Sequence, residues 1–112
     1  FLESGLGWLE YWLGRMDEHF EVMGAKVPWL NRRPSDLFKE QCFISIEADE
    51  AHRLPKIQAM GLEQCVFWGA DYPHYDCTYP GAVTELEKNL SPLDPALADL
   101  IRHGNAKRFM GL

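Results

Sequence analysis

Residues 65–76 read CVFWGADYPHYD, an apolar run that leads directly into an aspartate. The run up to Ala70 predicts a short strand that is buried on both faces, as the strands of a parallel sheet are. The strand ends at Asp71, and the stiff turn at Pro73 holds His74 at a fixed distance from the carboxylate. Two interpretations stay open, since Asp71 either caps the loop through backbone amides or is a catalytic acid at the mouth of a barrel.

The rest of the chain supplies two more predicted strands and a series of helices. Residues 1–5 look like the end of a strand, and residues 42–47 form a short apolar, β-rich run. Apolar residues at a spacing of three and four predict an amphipathic helix over residues 8–23, which Gly24 ends. Further helices are predicted over 35–41 with Ser35 as cap, over 49–60 with Asp49 as cap and an interruption at Pro55, and over 81–90. Ser91 and Asp94 are both candidate caps for the next helix, which runs through Arg102, and residues 105–110 add a last turn or two.

Strands alternate with helices along the whole sequence, and this order predicts right-handed crossovers and a parallel sheet covered by helices. The predicted fold class is therefore α/β. The chain of 112 residues has no internal repeat or linker, so we expect residues 1–112 to form a single domain.

Net charge, hydropathy and cysteine content indicate which binding partners and which cellular compartment to expect. The net charge of -6 and the absence of a basic patch argue against nucleic acid and anionic membranes as partners. No apolar run approaches the roughly 20 residues that span a bilayer. The cysteines Cys42, Cys65 and Cys77 lack metal-binding spacing, so we expect reduced thiols and a cytoplasmic protein. Because the chain opens on Phe1 rather than methionine, we expect a further segment upstream.

Four short motifs follow one another along the chain. They are LESG at 2–5 with Gly7-Trp8 behind it, CFIS at 42–45, FWGADYPH at 67–74 and NAKRF at 105–109. Together they resemble the C-terminal part of the amidohydrolase-related metal-dependent hydrolases, a group that includes the aminocarboxymuconate-semialdehyde and resorcylate decarboxylases. The resemblance covers essentially the whole chain, and its most specific part is the block at 67–74.

The resemblance implies a (β/α)₈ TIM barrel of which this chain supplies the last three β/α units, since an intact barrel runs to about 250 residues. In the family a divalent metal, often zinc, is held by a His-x-His pair on the first strand, a histidine near the middle and an aspartate that closes the last strand. Asp71 matches that aspartate, so the resemblance gives it the metal-ligand and proton-transfer roles.

The chain departs from the family pattern at the other ligands. Glu3 stands at the strand-six position where the decarboxylase relatives carry a histidine, so decarboxylation of their substrates is not implied. No two histidines have the His-x-His spacing; they are His19, His52, His74 and His103.

Four residues near the expected barrel mouth are weaker candidates. We expect His74, Glu3 and Trp8 to contact a small-molecule substrate in the intact enzyme. The plainer alternatives are a loop histidine, a capping or salt-bridging carboxylate and a core tryptophan, respectively. Glu47 occupies the equivalent place after the middle strand.

Two functional hypotheses follow. In the first, the chain is the C-terminal part of a metal-dependent hydrolase or decarboxylase and is inactive alone, because Asp71 without histidine partners does not make a tight zinc site. In the second, it is a noncatalytic half-barrel that acts as an oligomerising or scaffold module. Open sheet edges promote association, so we expect a homo-oligomer or contact with a missing N-terminal part. The sequence does not name the substrate.

Overall fold

The computed structural model describes residues 1–112 and shows a mixed α/β chain with parallel strands, in agreement with the predicted class. The strands are β1 (Ile44–Ile46) and β2 (Val66–Trp68), and the α-helices are α1 (Leu9–Met23), α2 (Pro34–Gln41), α3 (Leu54–Ala59), α4 (Ala82–Leu90), α5 (Pro95–Asp99) and α6 (Asn105–Met110). Two 3₁₀ turns at Gly24–Lys26 and Ala48–Arg53 and a π turn at Leu100–Gly104 complete the helical segments.

The sheet contains two strands where the sequence predicted three. β1 and β2 are parallel, with Ser45 opposite Phe67. Phe1 runs beside β1, since its amino group donates to the Phe43 carbonyl at 2.7 Å and its carbonyl accepts from the Ser45 N–H at 2.9 Å. The pairing goes no further because Glu3 has a φ of 54°, which turns the backbone out of the extended region. Residues 1–5 therefore form a turn against β1.

Helix α1 has one buried and one exposed face, as its apolar spacing predicted. Leu9 and Leu13 are buried in the core, whereas Tyr11 and Val22 face away from it and are exposed. The helix ends before Gly24, as predicted, and continues into a 3₁₀ turn.

The helical segment after β1 begins with a capping box. The side chain of Glu47 accepts the N–H of Glu50, and Glu50 Oε2 accepts the N–H of Glu47 at 3.4 Å. Glu50 Oε1 also accepts the N–H of Leu6 at 3.0 Å. The prediction of Asp49 as the cap was wrong, because helical geometry begins directly after β1. Pro55 lies in the first turn of α3, where its missing N–H needs no partner.

Two side chains, Asn105 and Trp68, attach the C-terminal helical segment to β2 and to the residues just before it. Asn105 is buried, and its Nδ2 donates to the carbonyls of Val66 at 2.6 Å and Glu63 at 2.7 Å. Trp68 Nε1 donates to the carbonyl of Arg102 at 3.1 Å. Because β2 is held in this way, the loop that follows it starts from a fixed point.

The core consists mainly of aliphatic side chains from both strands, from helices α1, α3, α4 and α5 and from the π turn after α5, together with Phe38 of α2. Its fully buried members include Leu9, Leu13, Ile44, Ile46, Leu54, Val66, Leu86, Leu90 and Ile101. None of the helices combines the length and the apolar character that crossing a membrane requires.

Candidate functional site

The carboxyl ends of β1 and β2 meet the N-terminal turn at a small cleft of about 160 Å³. Its polar lining comes from Glu3, Ser45, Glu47 and Asp71. Gly69 adds no side chain to the lining, and a methyl group at that position would meet no atom within 4 Å. The carboxyl ends of parallel strands are where α/β folds bind ligands. Asp71 therefore lines the same cleft as Glu3 and Glu47, at the carboxyl ends of the two strands.

Three side chains in and beside this cleft converge. His74 Nδ1 lies 2.8 Å from Asp71 Oδ2 and 3.9 Å from Glu3 Oε2. One ligand atom from each of the three residues lies within 4.8 Å of the other two. The Asp71 side chain is 13% exposed, whereas those of His74 and Glu3 are 54% and 60% exposed. The cluster is thus a partly buried carboxylate with two outer groups facing it.

The backbone at this cluster is locally strained. Glu3 and Asp71, with φ of 54° and 55°, are the only residues other than glycine with a positive φ. This left-handed region costs a residue with a β-carbon roughly 1–2 kcal/mol, and such strain is concentrated at functional sites. After Asp71 the chain turns sharply, with the His74 N–H donating to the Asp71 carbonyl at 2.9 Å. That turn brings the imidazole back onto the carboxylate.

The electrostatics of the cluster favour a protonated imidazole. The hydrogen bond with Asp71, followed by the charges of Asp71, Glu3 and Asp76, raises the pKa of His74 above its ordinary value. The charged pair is therefore favoured at pH values where a free histidine has begun to lose its proton.

Negative charges surround Glu47 as they surround His74, but in a carboxyl they disfavour the charged form. Partial burial, followed by the charges of Asp49 and Asp71, raises the pKa of the Glu47 carboxyl. A carboxyl that is disfavoured as an anion beside Asp71 is a group that would gain from a cation placed between them.

Trp8 lies away from the cleft, and Ser45 lines it although it was not predicted to. Trp8 does not line the cleft; it packs on the core and meets the Phe1 ring edge-on at a centroid distance of 5.5 Å. Its substrate-contacting role stays a prediction, and core packing describes its position. Sequence reasoning missed Ser45, whose Oγ accepts the N–H of Glu3 at 3.2 Å in the cleft wall. The signal was available, since Ser45 is the polar residue between two buried isoleucines of β1.

The cluster residues fit a divalent cation. Two carboxylates and one imidazole form a donor set that suits zinc or manganese, and three protein ligands leave a coordination position open. His74 would bind the cation only as a neutral imidazole, so cation binding would release the second proton that Asp71 and Glu3 favour on the free side chain. Because the Glu3 and His74 side chains are more than half exposed, we expect this chain by itself to hold a cation weakly.

Comparisons with known proteins give a structural match and no match in sequence. No known family matches the chain, and no curated protein matches it. Among solved structures, the chain is similar to an amidohydrolase from Mycobacterium avium subsp. paratuberculosis, with a TM-score of 0.78 and 15% identity.

The extent of this match defines what it shows. It covers 97% of this chain but only 27% of the amidohydrolase, so the chain spans about a quarter of that structure. At 15% identity the similarity shows the fold alone. The chain therefore has the fold of a fragment of an amidohydrolase barrel.

Proposed function

We propose that this chain is the C-terminal part of a metal-dependent hydrolase or decarboxylase of the amidohydrolase superfamily, with Asp71 as metal ligand and proton-transfer group. The observation that carries the proposal is the convergence of Asp71, His74 and Glu3 within 4.8 Å at the carboxyl ends of parallel strands. The fold similarity to an amidohydrolase supports it, because those strand ends are where barrel enzymes place their chemistry.

Each residue of the cluster has a distinct part in this proposal. The least exposed carboxylate, Asp71, would hold the cation and exchange a proton, and it is oriented by the 2.8 Å hydrogen bond to His74 Nδ1. His74 and Glu3, at the outer side, complete the donor set and contact the substrate. A divalent cation, with zinc as the first candidate, supplies Lewis acidity toward a carbonyl or carboxylate of the substrate.

The size of the cleft indicates why the chain alone is expected to be inactive. Substrate pockets usually measure about 300–1,000 Å³, and the cleft measures about 160 Å³. The remaining pocket wall and the other metal ligands would come from the rest of an intact barrel, in keeping with residues 1–112 forming a partial barrel domain. We also propose that the protein belongs to the aminocarboxymuconate-semialdehyde decarboxylase-like subfamily and that it is cytoplasmic.

Metal titration of the 112-residue chain tests the role of the cluster. Calorimetry with Zn²⁺, and absorption spectra with Co²⁺ as a spectroscopic substitute, should show one weak site that Asp71→Asn abolishes. Glu3→Gln should weaken binding by about tenfold or more, as expected when one of few charged ligands is lost. The matched control is Asp76→Asn, which neutralises an aspartate of the same loop outside the cluster.

Two results would contradict the proposal. If Asp71→Asn and Asp76→Asn bind Zn²⁺ as tightly as the unaltered chain, the cluster is not the metal site. If a longer chain that contains this segment is as active with Asn at position 71 as with Asp, the catalytic role is wrong. In either case the noncatalytic scaffold module becomes the better hypothesis.

A further inference from the structure

The outer face of α1 carries a regular stripe of exposed residues that lie outside the core. Tyr11, Arg15, Glu18 and Val22 follow one another at intervals of four, three and four residues. Tyr11 and Val22, at the two ends, are 71% and 83% exposed. The stripe lies opposite Leu9, which is fully buried. A 4-3-4 spacing places the four side chains in one line along the helix, as in the contact positions of a two-helix coiled coil, but here the two central positions are charged instead of apolar.

The two charges inside the stripe are complementary to a second copy in only one orientation. If two α1 helices cross antiparallel about an axis between residues 16 and 17, Tyr11 meets Val22 and Arg15 meets Glu18 of the second copy. The twofold axis repeats each contact. The dimer interface therefore has a Tyr11–Val22 contact at each end and two Arg15–Glu18 ion pairs at its middle. A parallel alignment would instead place Arg15 against Arg15 and Glu18 against Glu18, which is unfavourable.

We propose that α1 is a self-association surface through which two copies of this chain form an antiparallel, twofold-symmetric dimer. The occupant of the stripe is a second α1. Arg15 and Glu18 already form an ion pair within one helix at 2.8 Å, and in the dimer this pair becomes a network of four charges. The inference is independent of the metal cluster, which lies at the strand ends.

The surroundings of the stripe suit a close helix pair. On one flank is Gly14, where an added methyl group would meet no atom within 4 Å, so a second helix has room to approach. On the other flank, α1 and the segment up to Pro34 form an open groove of about 660 Å³. Its apolar walls are Trp12, Met16, Phe20, Met23, Val27 and Leu30.

The expected strength of the dimer follows from its size. α1 has 15 residues and is about 22 Å long. Stable interfaces bury roughly 1,200–2,000 Å² in total, so a pair of short helices needs the groove flank as well and gives reversible association. We therefore expect a monomer–dimer equilibrium that depends on concentration.

The proposal is tested with charge-reversal variants, whose masses are measured by analytical ultracentrifugation at about 0.15 M ionic strength. The mass of the unaltered chain should rise from 12.9 kDa toward twice that value as its concentration is raised. Arg15→Glu alone and Glu18→Arg alone should each weaken dimerisation about tenfold or more, because each places like charges opposite one another. The double variant Arg15→Glu/Glu18→Arg should restore it. The matched control is Lys88→Glu, which disrupts an exposed pair on α4 and should change nothing.

Cysteine cross-linking provides a second measurement that does not depend on charge. In a chain with Cys42→Ser and Cys77→Ser, the double variant Tyr11→Cys/Val22→Cys should form a disulfide-linked dimer. Val22→Cys alone should not, since two copies of that position lie roughly 16 Å apart along antiparallel helices.

Three results would overturn the proposal: a monomer at every concentration, a dimer that neither single charge reversal weakens, or efficient cross-linking by Val22→Cys alone. Circular dichroism of every variant verifies that the fold is retained.

Discussion

Asn105 donates hydrogen bonds from one amide nitrogen to two main-chain carbonyls, those of Val66 at 2.6 Å and Glu63 at 2.7 Å. This is how the last helix is joined to the strand that leads into Asp71. Asn105 is 1% exposed, so water does not replace these bonds if the side chain is removed.

Replacement of Asn105 should therefore be strongly destabilising. Asn105→Ala leaves the Val66 carbonyl without its partner in a buried place, and we expect a loss of about 2–4 kcal/mol in the free energy of unfolding. Urea denaturation followed by circular dichroism measures it. The matched control is Asn31→Ala at an exposed loop asparagine, which should fall within about 0.5 kcal/mol of the unaltered chain. Equal stabilities of the two variants would show that the hydrogen bonds do not hold the helix.

The raised pKa of Glu47 leads to a pH-dependent stability. A carboxyl whose pKa is higher in the folded than in the unfolded state contributes most below its unfolded value, and that contribution is lost as the pH rises through the folded value. Glu47→Gln keeps an oxygen to accept the Glu50 N–H but removes the charge, so its Tm should exceed that of the unaltered chain at pH 7. The advantage should disappear below pH 4.5, the ordinary value.

Thermal unfolding at several pH values, with a chelator present to exclude metal ions, checks this expectation. Glu40→Gln is a suitable control, because Glu40 pairs with Arg32 on the surface away from the cleft. An advantage of Glu47→Gln that is the same at every pH would contradict the electrostatic explanation.

The left-handed backbone at Glu3 predicts a difference between two small substitutions. Glu3→Gly relieves the strain at a φ of 54°, while Glu3→Ala removes the same carboxylate and keeps the strain. The glycine variant should therefore be about 1 kcal/mol more stable than the alanine variant, even though glycine usually costs backbone entropy. Both should bind metal equally poorly. An alanine variant at least as stable as the glycine variant would mean that the turn is not strained.

The three cysteines should differ in reactivity. Cys65 is 1% exposed and burial raises the pKa of its thiol, so little thiolate is available to react in the folded chain. Cys42 and Cys77 are partly exposed. With a colorimetric disulfide reagent, two thiols should react quickly and the third only as the chain unfolds. The Cys65→Ala variant should lose only the slow phase; loss of a fast phase would contradict the assignment.

The spacing of apolar residues and the positions of helix-capping and helix-ending residues predicted much of this fold. The spacing of apolar residues located α1, and Gly24 marked its end. Asp94 was one of two predicted caps, with Ser91, and its carboxylate accepts the N–H of Ala96 at 2.9 Å. These features depend on neighbours a few residues away, which a linear pattern records.

Features that depend on distant partners were not predictable in this way. Residues 1–5 have the composition of a strand end, yet strand geometry needs a continuing ladder, which the turn at Glu3 interrupts. The cap after β1 is Glu47, because Glu47 and Glu50 each accept the backbone N–H of the other. The sequence favoured Asp49 instead, since aspartate is a common cap and the Glu47–Glu50 pairing depends on the folded backbone. Within the candidate site, the position of Asp71 could be predicted, but its distance to Glu3 depends on a fold that brings residues 68 positions apart together.

Glu50 connects parts of the molecule that the sequence keeps apart. One oxygen of its carboxylate holds the N–H of Leu6, just after the turn that carries Glu3, and the other holds the N–H of Glu47 at the end of β1. Gly5 lies against it so closely that a methyl group there would come within 2.9 Å of Oε1. The two loops are thus joined through a single carboxylate, so replacement of Glu50 would release both rims of the cleft at once.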